Sequence, residues 1–180
     1  MRVIGGVARG RPLKAKLPET VRPTTDYARE AIFSMLESRG GLQDLVVADL
    51  YCGSGALGIE ALSRGAARCY FYDSDAACLG AAKQNLEPFG LDGEAIYTRA
   101  TLPVWTPPAD LDLVLADPPY GPLDVASLLK GVKAARVIIE NDRHVEAPSG
   151  WQVTKTKRYG TTFVTMLEPD EAPGGKEDQA

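Results

Sequence analysis

Apolar residues along this chain follow two periods, and the alternation between them predicts the architecture. Five short runs rich in Val, Ile, Leu and aromatic residues read as strands, at 45–51, 68–73, 94–98, 111–116 and 135–140. Helical spacing fills most of the gaps, notably at 56–64 and at 76–87, the latter with Asp75 placed to cap it. An earlier helix carries Ala28, Ile32, Met35 and Leu36 on one face. It follows Pro23, with Thr24 or Thr25 as cap, and ends at Gly40-Gly41. Residues 101–109 contain three prolines and predict an irregular crossover. Near the C-terminus, 151–157 and 161–167 flank Arg158-Tyr159-Gly160 and read as an antiparallel hairpin.

Strands alternating with helices imply an α/β fold, a doubly wound, mostly parallel sheet of seven strands that the C-terminal hairpin closes. The first 17 residues, with Gly5-Gly6 and Arg9-Gly10-Arg11-Pro12, read as an extended arm or hairpin. We divide the chain into a basic N-terminal extension (1–22), a main domain (23–167) and an acidic tail (168–180) expected to be disordered.

Composition changes this picture in three ways. At 180 residues and 44% hydrophobic content the chain is one globular domain. Three cysteines, Cys52, Cys69 and Cys78, imply no disulfide framework, and a reducing cytoplasm fits them. His144 is the only histidine, which argues against a Cys/His metal site, and no apolar run has the length of a membrane span. The net charge of −4 hides an asymmetry. Residues 1–22 carry six basic groups against Glu19, whereas 168–180 carry five acids against Lys176. A basic segment on an otherwise neutral body points to a polyanion partner.

The strongest local signal is Asp49-Leu-Tyr-Cys-Gly53-Ser-Gly55-Ala-Leu-Gly58, a G-x-G-x-x-G directly between a strand and a helix. Such glycines make a tight turn that a ligand can approach, over the free N–H groups of the helix. Asp73 ends the following strand 18 residues after Gly55, where a ribose-binding carboxylate belongs. A nicotinamide dinucleotide is one candidate ligand. Asp49 and Tyr51 beside the turn fit the ammonium of an amino-acid moiety better than a phosphate, which favours S-adenosylmethionine.

At the end of the fourth strand stands Asp117-Pro118-Pro119-Tyr120. In a doubly wound sheet ligands bind at the carboxyl ends of the strands, so these residues face the cofactor's reactive end. Two prolines stiffen the backbone and donate nothing, leaving the Asp117 carboxylate and the Pro118 carbonyl as a fixed pair of acceptors. Two acceptors suit an exocyclic amine. Tyr120 offers a face for a flipped base, a stacking contact of about 1–3 kcal/mol.

With these motifs in place the chain resembles the class I S-adenosylmethionine-dependent methyltransferases, a Rossmann-like class. More narrowly, it resembles the bacterial family that makes N2-methylguanosine in 16S ribosomal RNA. The residues that carry this are Arg2 to Gly6 with Arg9 to Arg11, Arg22 to Asp26 with Arg29 to Ala31, Asp49 to Gly65, and Asp117 to Tyr120. The resemblance implies that Asp49, Tyr51, Gly53 and Gly55 hold the methionine part of the cofactor. It places Asp73 on the ribose and Ser74 beside the adenosine. It gives Asp117, Pro118, Pro119 and Tyr120 the target amine and base, and gives Arg9, Arg11, Lys14 and Arg22 the RNA phosphates. Tyr51-Cys52 replaces a more usual Phe-Ala, Asp73 a Glu, and Arg99 stands where an acceptor often meets the adenine. The expected partner is 16S rRNA or a small-subunit particle, with a monomeric enzyme and no metal or membrane.

Alternative readings remain at this point. An adenine-N6 methyltransferase shares the Asp-Pro-Pro-Tyr chemistry, a non-catalytic RNA-binding assembly factor could keep the pocket, and an NAD oxidoreductase shares the glycine spacing. Cys52 reads as a small buried filler and not a nucleophile, since no base partner is apparent. His144 reads as surface. Lys155, Lys157 and Arg158 read as the solvated side of a hairpin, and Trp105 covers the cofactor or fills a gap.

Overall fold

The computed structural model describes residues 1–15 and 26–170. Arg22, the capping Thr24 and Thr25, and the tail beyond Asp170 fall outside the described residues. The strands are β1 (Val46–Leu50), β2 (Arg68–Asp73), β3 (Ala95–Arg99), β4 (Leu113–Ala116), β5 (Arg136–Asn141), β6 (Trp151–Tyr159) and β7 (Thr162–Pro169). They form one seven-stranded sheet in the order β3-β2-β1-β4-β5-β7-β6. The first five run parallel; β7 is antiparallel to β5, and β6 to β7. The expected doubly wound sheet with a closing hairpin is what forms. The order reverses between β1 and β4, the place where such sheets bind ligands.

The central strands β1, β4 and β5 are buried on both faces because both faces are covered. Along β4, Leu113 and Leu115 enter one core with Ile32, Phe33, Ile59 and Phe71. Val114 and Ala116 enter another with Leu50, Leu128 and Ile139. The first core is built by helices α1 (Asp26–Glu37), α2 (Ala56–Ser63) and α3 (Ala76–Leu86), the second by the one-turn α4 (Val125–Leu128) and the crossover before β4. Asp75 caps α3 by accepting from the Ala77 N–H at 2.8 Å, as its position predicts. The 101–109 crossover is irregular, and Trp105 pins it: its indole N–H donates to the Leu128 carbonyl (2.8 Å) and its ring meets Tyr72 edge-on at 5.0 Å. Trp105 therefore fills the second core.

The N-terminal segment is a hairpin seated on the domain. Val3 and Gly10 exchange backbone bonds with Arg11 and Val3, and Leu13 donates to the Met1 carbonyl. Its seat is the C-terminal half of α2. Glu60, fully buried, accepts from the Ile4 and Gly5 N–H groups at 2.7 and 2.6 Å, and Ser63 bonds Ala8 and Gly5. Val7 N–H also satisfies the Ser63 carbonyl, one of the acceptors a helix end leaves open. Gly6, at φ +73°, has no room for a side chain: a Cβ would lie 1.7 Å from the Ser63 oxygen.

Candidate active site

The glycine turn leaves β1 with Tyr51 at φ 61° and Gly53 and Gly55 also left-handed. Gly55 sits at the N-cap of α2 and has no side chain to cap with; Asp49 does it from the strand. The Asp49 carboxylate accepts from the Gly58 N–H at 2.8 Å, so one oxygen closes the first turn of the helix and the other remains for a ligand. Asp73 stitches the turn to β2. Its two oxygens accept from Gly53 (3.0 Å) and Asp75 (2.9 Å), and a carboxylate with about four lone-pair sites keeps capacity for two hydroxyls. Gly58 serves packing instead: a Cβ there would meet Phe71 Cε1 at 2.3 Å and Cys69 Sγ at 2.6 Å.

Across the reversal point, the Asp117 N–H donates to the Leu50 carbonyl, which carries the ladder past the end of β4 and brings the tetrapeptide beside the turn. Pro118 is buried, Pro119 and Tyr120 are exposed. Two other strands hold this loop. The Tyr120 hydroxyl bonds Thr162 Oγ1 of β7 at 2.7 Å. The Gly121 peptide is gripped on both sides, its N–H by Asp142 Oδ1 (3.1 Å) and its carbonyl by Asn141 Nδ2 (3.4 Å).

Asp73, Asp49 and Asp117 thus end three adjacent strands at one mouth. Burial pushes the Asp49 carboxyl well above its usual range, and the neighbouring charges of Asp117 and Asp73 push it further, against the Gly58 bond that lowers it. Three carboxylates at one mouth repel a pyrophosphate and attract a cation. A ligand carrying both an ammonium and a sulfonium meets that field, which fits S-adenosylmethionine and argues against NAD.

The remaining residues resolve plainly. Cys52 is buried, and burial with the Asp49 and Asp73 charges holds its thiol far above reactivity. Burial raises the Tyr51 phenol to about 12. Ser74 is exposed, and its carbonyl takes a 2.8 Å bond from Arg99, whose side chain so braces the loop after β2. Arg9, Arg11 and Lys14 are exposed on the N-terminal hairpin. Arg11 donates to the Pro88 carbonyl and covers the Phe89 ring at 4.6 Å.

Sequence reasoning gave no function to Glu60, Asn85, Asn141, Asp142 or Thr162. Glu60 had a signal: a carboxylate in the otherwise apolar helix ALGIEALS must be buried with partners, and Arg64 (2.9 Å) and buried Arg29 (3.9 Å) supply them. Asn85 links the hairpin to the turn, accepting from Ala15 and donating to the Ser54 carbonyl.

This fold and site define a class I S-adenosylmethionine-dependent methyltransferase. A structure of an RNA methyltransferase from Salinibacter ruber, solved with S-adenosylhomocysteine, superposes with a TM-score of 0.64 over 86% of this chain and 98% of that one, at 17% identity. The chain belongs to the family described as Conserved hypothetical protein 95, whose model matches residues 1–168. It is 32% identical to ribosomal RNA small subunit methyltransferase D of Escherichia coli strain K12, covering 93% of this chain and 89% of that protein. Against the protein of the same name from Haemophilus influenzae it is 29% identical, covering 93% of both. Its cofactor is S-adenosylmethionine.

Proposed function

We propose that the protein methylates the exocyclic N2 amine of a guanine in small-subunit (16S) ribosomal RNA. The observation that carries this reading is the tetrapeptide beside the three-carboxylate mouth, where a pair of fixed acceptors adjoins a site for a sulfonium ligand. Ribosomal RNA as the substrate class follows from the relatives' names. The guanine N2 atom is the finer step, and it rests on the family resemblance and the two-acceptor chemistry.

Bound S-adenosylmethionine supplies a methyl carbon already activated by its sulfonium. The chain's residues then do the positioning. Asp49, Tyr51, Gly53 and Gly55 hold the methionine end, Asp73 the ribose, and Ser74 the flank of the adenosine. The Asp117 carboxylate and the Pro118 carbonyl accept the two amine N–H bonds, draw the nitrogen lone pair out of conjugation and aim it along the line of transfer. Pro119 keeps the backbone rigid and Tyr120 supports the base. Asp117 stabilises the positive charge that grows on nitrogen, and the surplus proton leaves after transfer. Arg9, Arg11, Lys14 and Arg22 meet RNA phosphates.

The test is methyl transfer to unmethylated small-subunit rRNA, free and as particles, with nucleoside mass spectrometry of the digest. N2-methylguanosine supports the reading in full. N6-methyladenosine keeps the class and moves the target, and no product on either substrate removes the rRNA assignment.

A further inference from the structure

Immediately past the tetrapeptide lies a cavity of about 440 Å³, in the range of small-ligand sites. One wall is the chain from Gly121 to Ala126, the other the segment after β5, from Asn141 to Pro148. The β4–β5 ladder ends at Ala116 and Ile139, and two residues further along β5 Asn141 bonds Gly121, the residue that follows the tetrapeptide. The cavity is therefore the next room along from the amine-binding acceptors, on the side of the sheet away from the glycine turn.

Its polar groups are unusual for an unused surface. Asn141 is 2% exposed; Nδ2 donates to the Gly121 carbonyl, but Oδ1 is buried with no hydrogen-bond partner among the described residues. An acceptor kept from both water and protein donors is costly, and a ligand N–H entering the cavity its residue lines relieves that cost. At the rim, Arg143 is exposed, with only a loose 3.7 Å contact to Asp142. The exposed His144 ring lies 4.2 Å from Phe163 of β7, which backs it, and the Arg158 guanidinium stands 5.5 Å from the same ring. Two exposed acids also line the cavity, Asp124, whose carboxylate caps α4 at Ser127, and Glu146 on the opposite wall. Behind the rim, residues 151–167 hold Lys155, Lys157 and Arg158 and no acid.

We propose that this cavity is a second nucleotide subsite, taking the residue next to the target in a single-stranded RNA segment. Its phosphate meets Arg143, its base lies against His144, and an N–H of that base reaches Asn141 Oδ1. A cation, a supported ring and a buried acceptor are what a nucleotide requires, and single-stranded RNA is read through stacked, splayed bases. The RNA path then runs over the ends of β5 and β7 and continues along the hairpin of β6 and β7, which carries Lys155, Lys157 and Arg158. The inference rests on the proposed RNA methylation by the adjoining loop, and its test is built to fail separately.

Two measurements decide it. His144, the chain's only histidine, gives one imidazole ε1 resonance in histidine-labelled protein. Titrating the full chain, saturated with S-adenosylhomocysteine, with poly(A), poly(C) or poly(U) should move that resonance saturably, and polyphosphate, which offers Arg143 a phosphate but no base, should move it clearly less. No movement with any RNA, or equal movement with polyphosphate, overturns the subsite whether or not the enzyme is active. Second, on small-subunit RNA the Arg143→Ala/His144→Ala double variant should raise the RNA KM about tenfold. It should leave kcat and the S-adenosylmethionine KM unchanged, and cut the salt slope of binding by about 0.7, the share of one phosphate on a single strand. Because both side chains are exposed, folding is preserved, which the melting temperature checks. An unchanged KM and slope in a variant that still methylates overturns the subsite and leaves the methylation reading standing.

Discussion

The two halves of the sheet meet at the tetrapeptide, and they are built by different means. On the β1–β2 side, side chains grip the backbone of their own neighbourhood: Asp49 holds Gly58, and Asp73 holds Gly53 and Asp75. Partners stand 2 to 20 residues apart. On the β4–β5 side, the loop is held by Asn141, Asp142 and Thr162, 20 to 42 residues away. The glycine-turn half is thus held by contacts within 20 residues, while the tetrapeptide half depends on three strands arriving in register. The two basic hairpins repeat the contrast. The N-terminal one is seated on Glu60 and Ser63 in the second half of α2 and reaches the glycine turn through Asn85, whereas the C-terminal one bonds the tetrapeptide loop through Thr162.

The contrast can be broken most severely at its meeting point. Asp117→Ala should lower turnover by at least about a thousandfold, roughly 4 kcal/mol of barrier, while cofactor affinity measured calorimetrically stays within a few-fold. A large loss of cofactor binding would return Asp117 to the glycine-turn half. Next in size is Glu60→Ala, which leaves buried Arg29 without its buried partner and strips the hairpin of its seat. We expect about 3–5 kcal/mol of lost stability in urea unfolding. Gly58→Ala should cost about 1–3 kcal/mol by overpacking against Phe71 and Cys69; the melting temperature reads it, and an unchanged value would mean α2 shifts freely.

The next two predictions are smaller and sharper. The proton on Asp49 competes with a cationic ligand, and its pKa in the free protein is raised, so cofactor affinity should weaken on acidification starting above the ordinary carboxylate range. The sign follows because the cation favours the ionised form: affinity is full above the raised pKa and falls by up to about tenfold per pH unit below it. Asp49→Asn should bind weakly and remove that pH dependence. Thr162→Val, finally, removes the bond between the Tyr120 hydroxyl and β7. About 0.5–1.5 kcal/mol should appear as a higher RNA KM with cofactor binding unchanged, and Tyr120→Phe should show no further loss in the doubly substituted protein.

Much of the fold was legible because each strand and helix announces itself over a few residues. The strand at 94–98 came out one residue later, as Ala95–Arg99, and the proline-rich crossover was irregular as expected. The sequence does not decide whether Trp105 covers the cofactor or fills a gap, because its partner, the Leu128 carbonyl, is 23 residues away. Arg99 was read only as an unsuitable adenine acceptor; its bond to the Ser74 carbonyl joins two strand ends that no spacing relates.

The sequence by itself determined the alternation of strands and helices, the glycine turn with its two carboxylates, and the rigid acceptor pair at Asp117 and Pro118. Each depends on backbone preferences and hydrogen bonds that act within one or two elements. Only the tertiary structure decided where the basic hairpins sit, which strands clamp the tetrapeptide loop, and that Asp73, Asp49 and Asp117 share one mouth. Those facts depend on the strand order, β3-β2-β1-β4-β5-β7-β6, which is set by burying both faces of the sheet at once. Burial of that kind joins residues by their place in the sheet, whatever their separation along the chain.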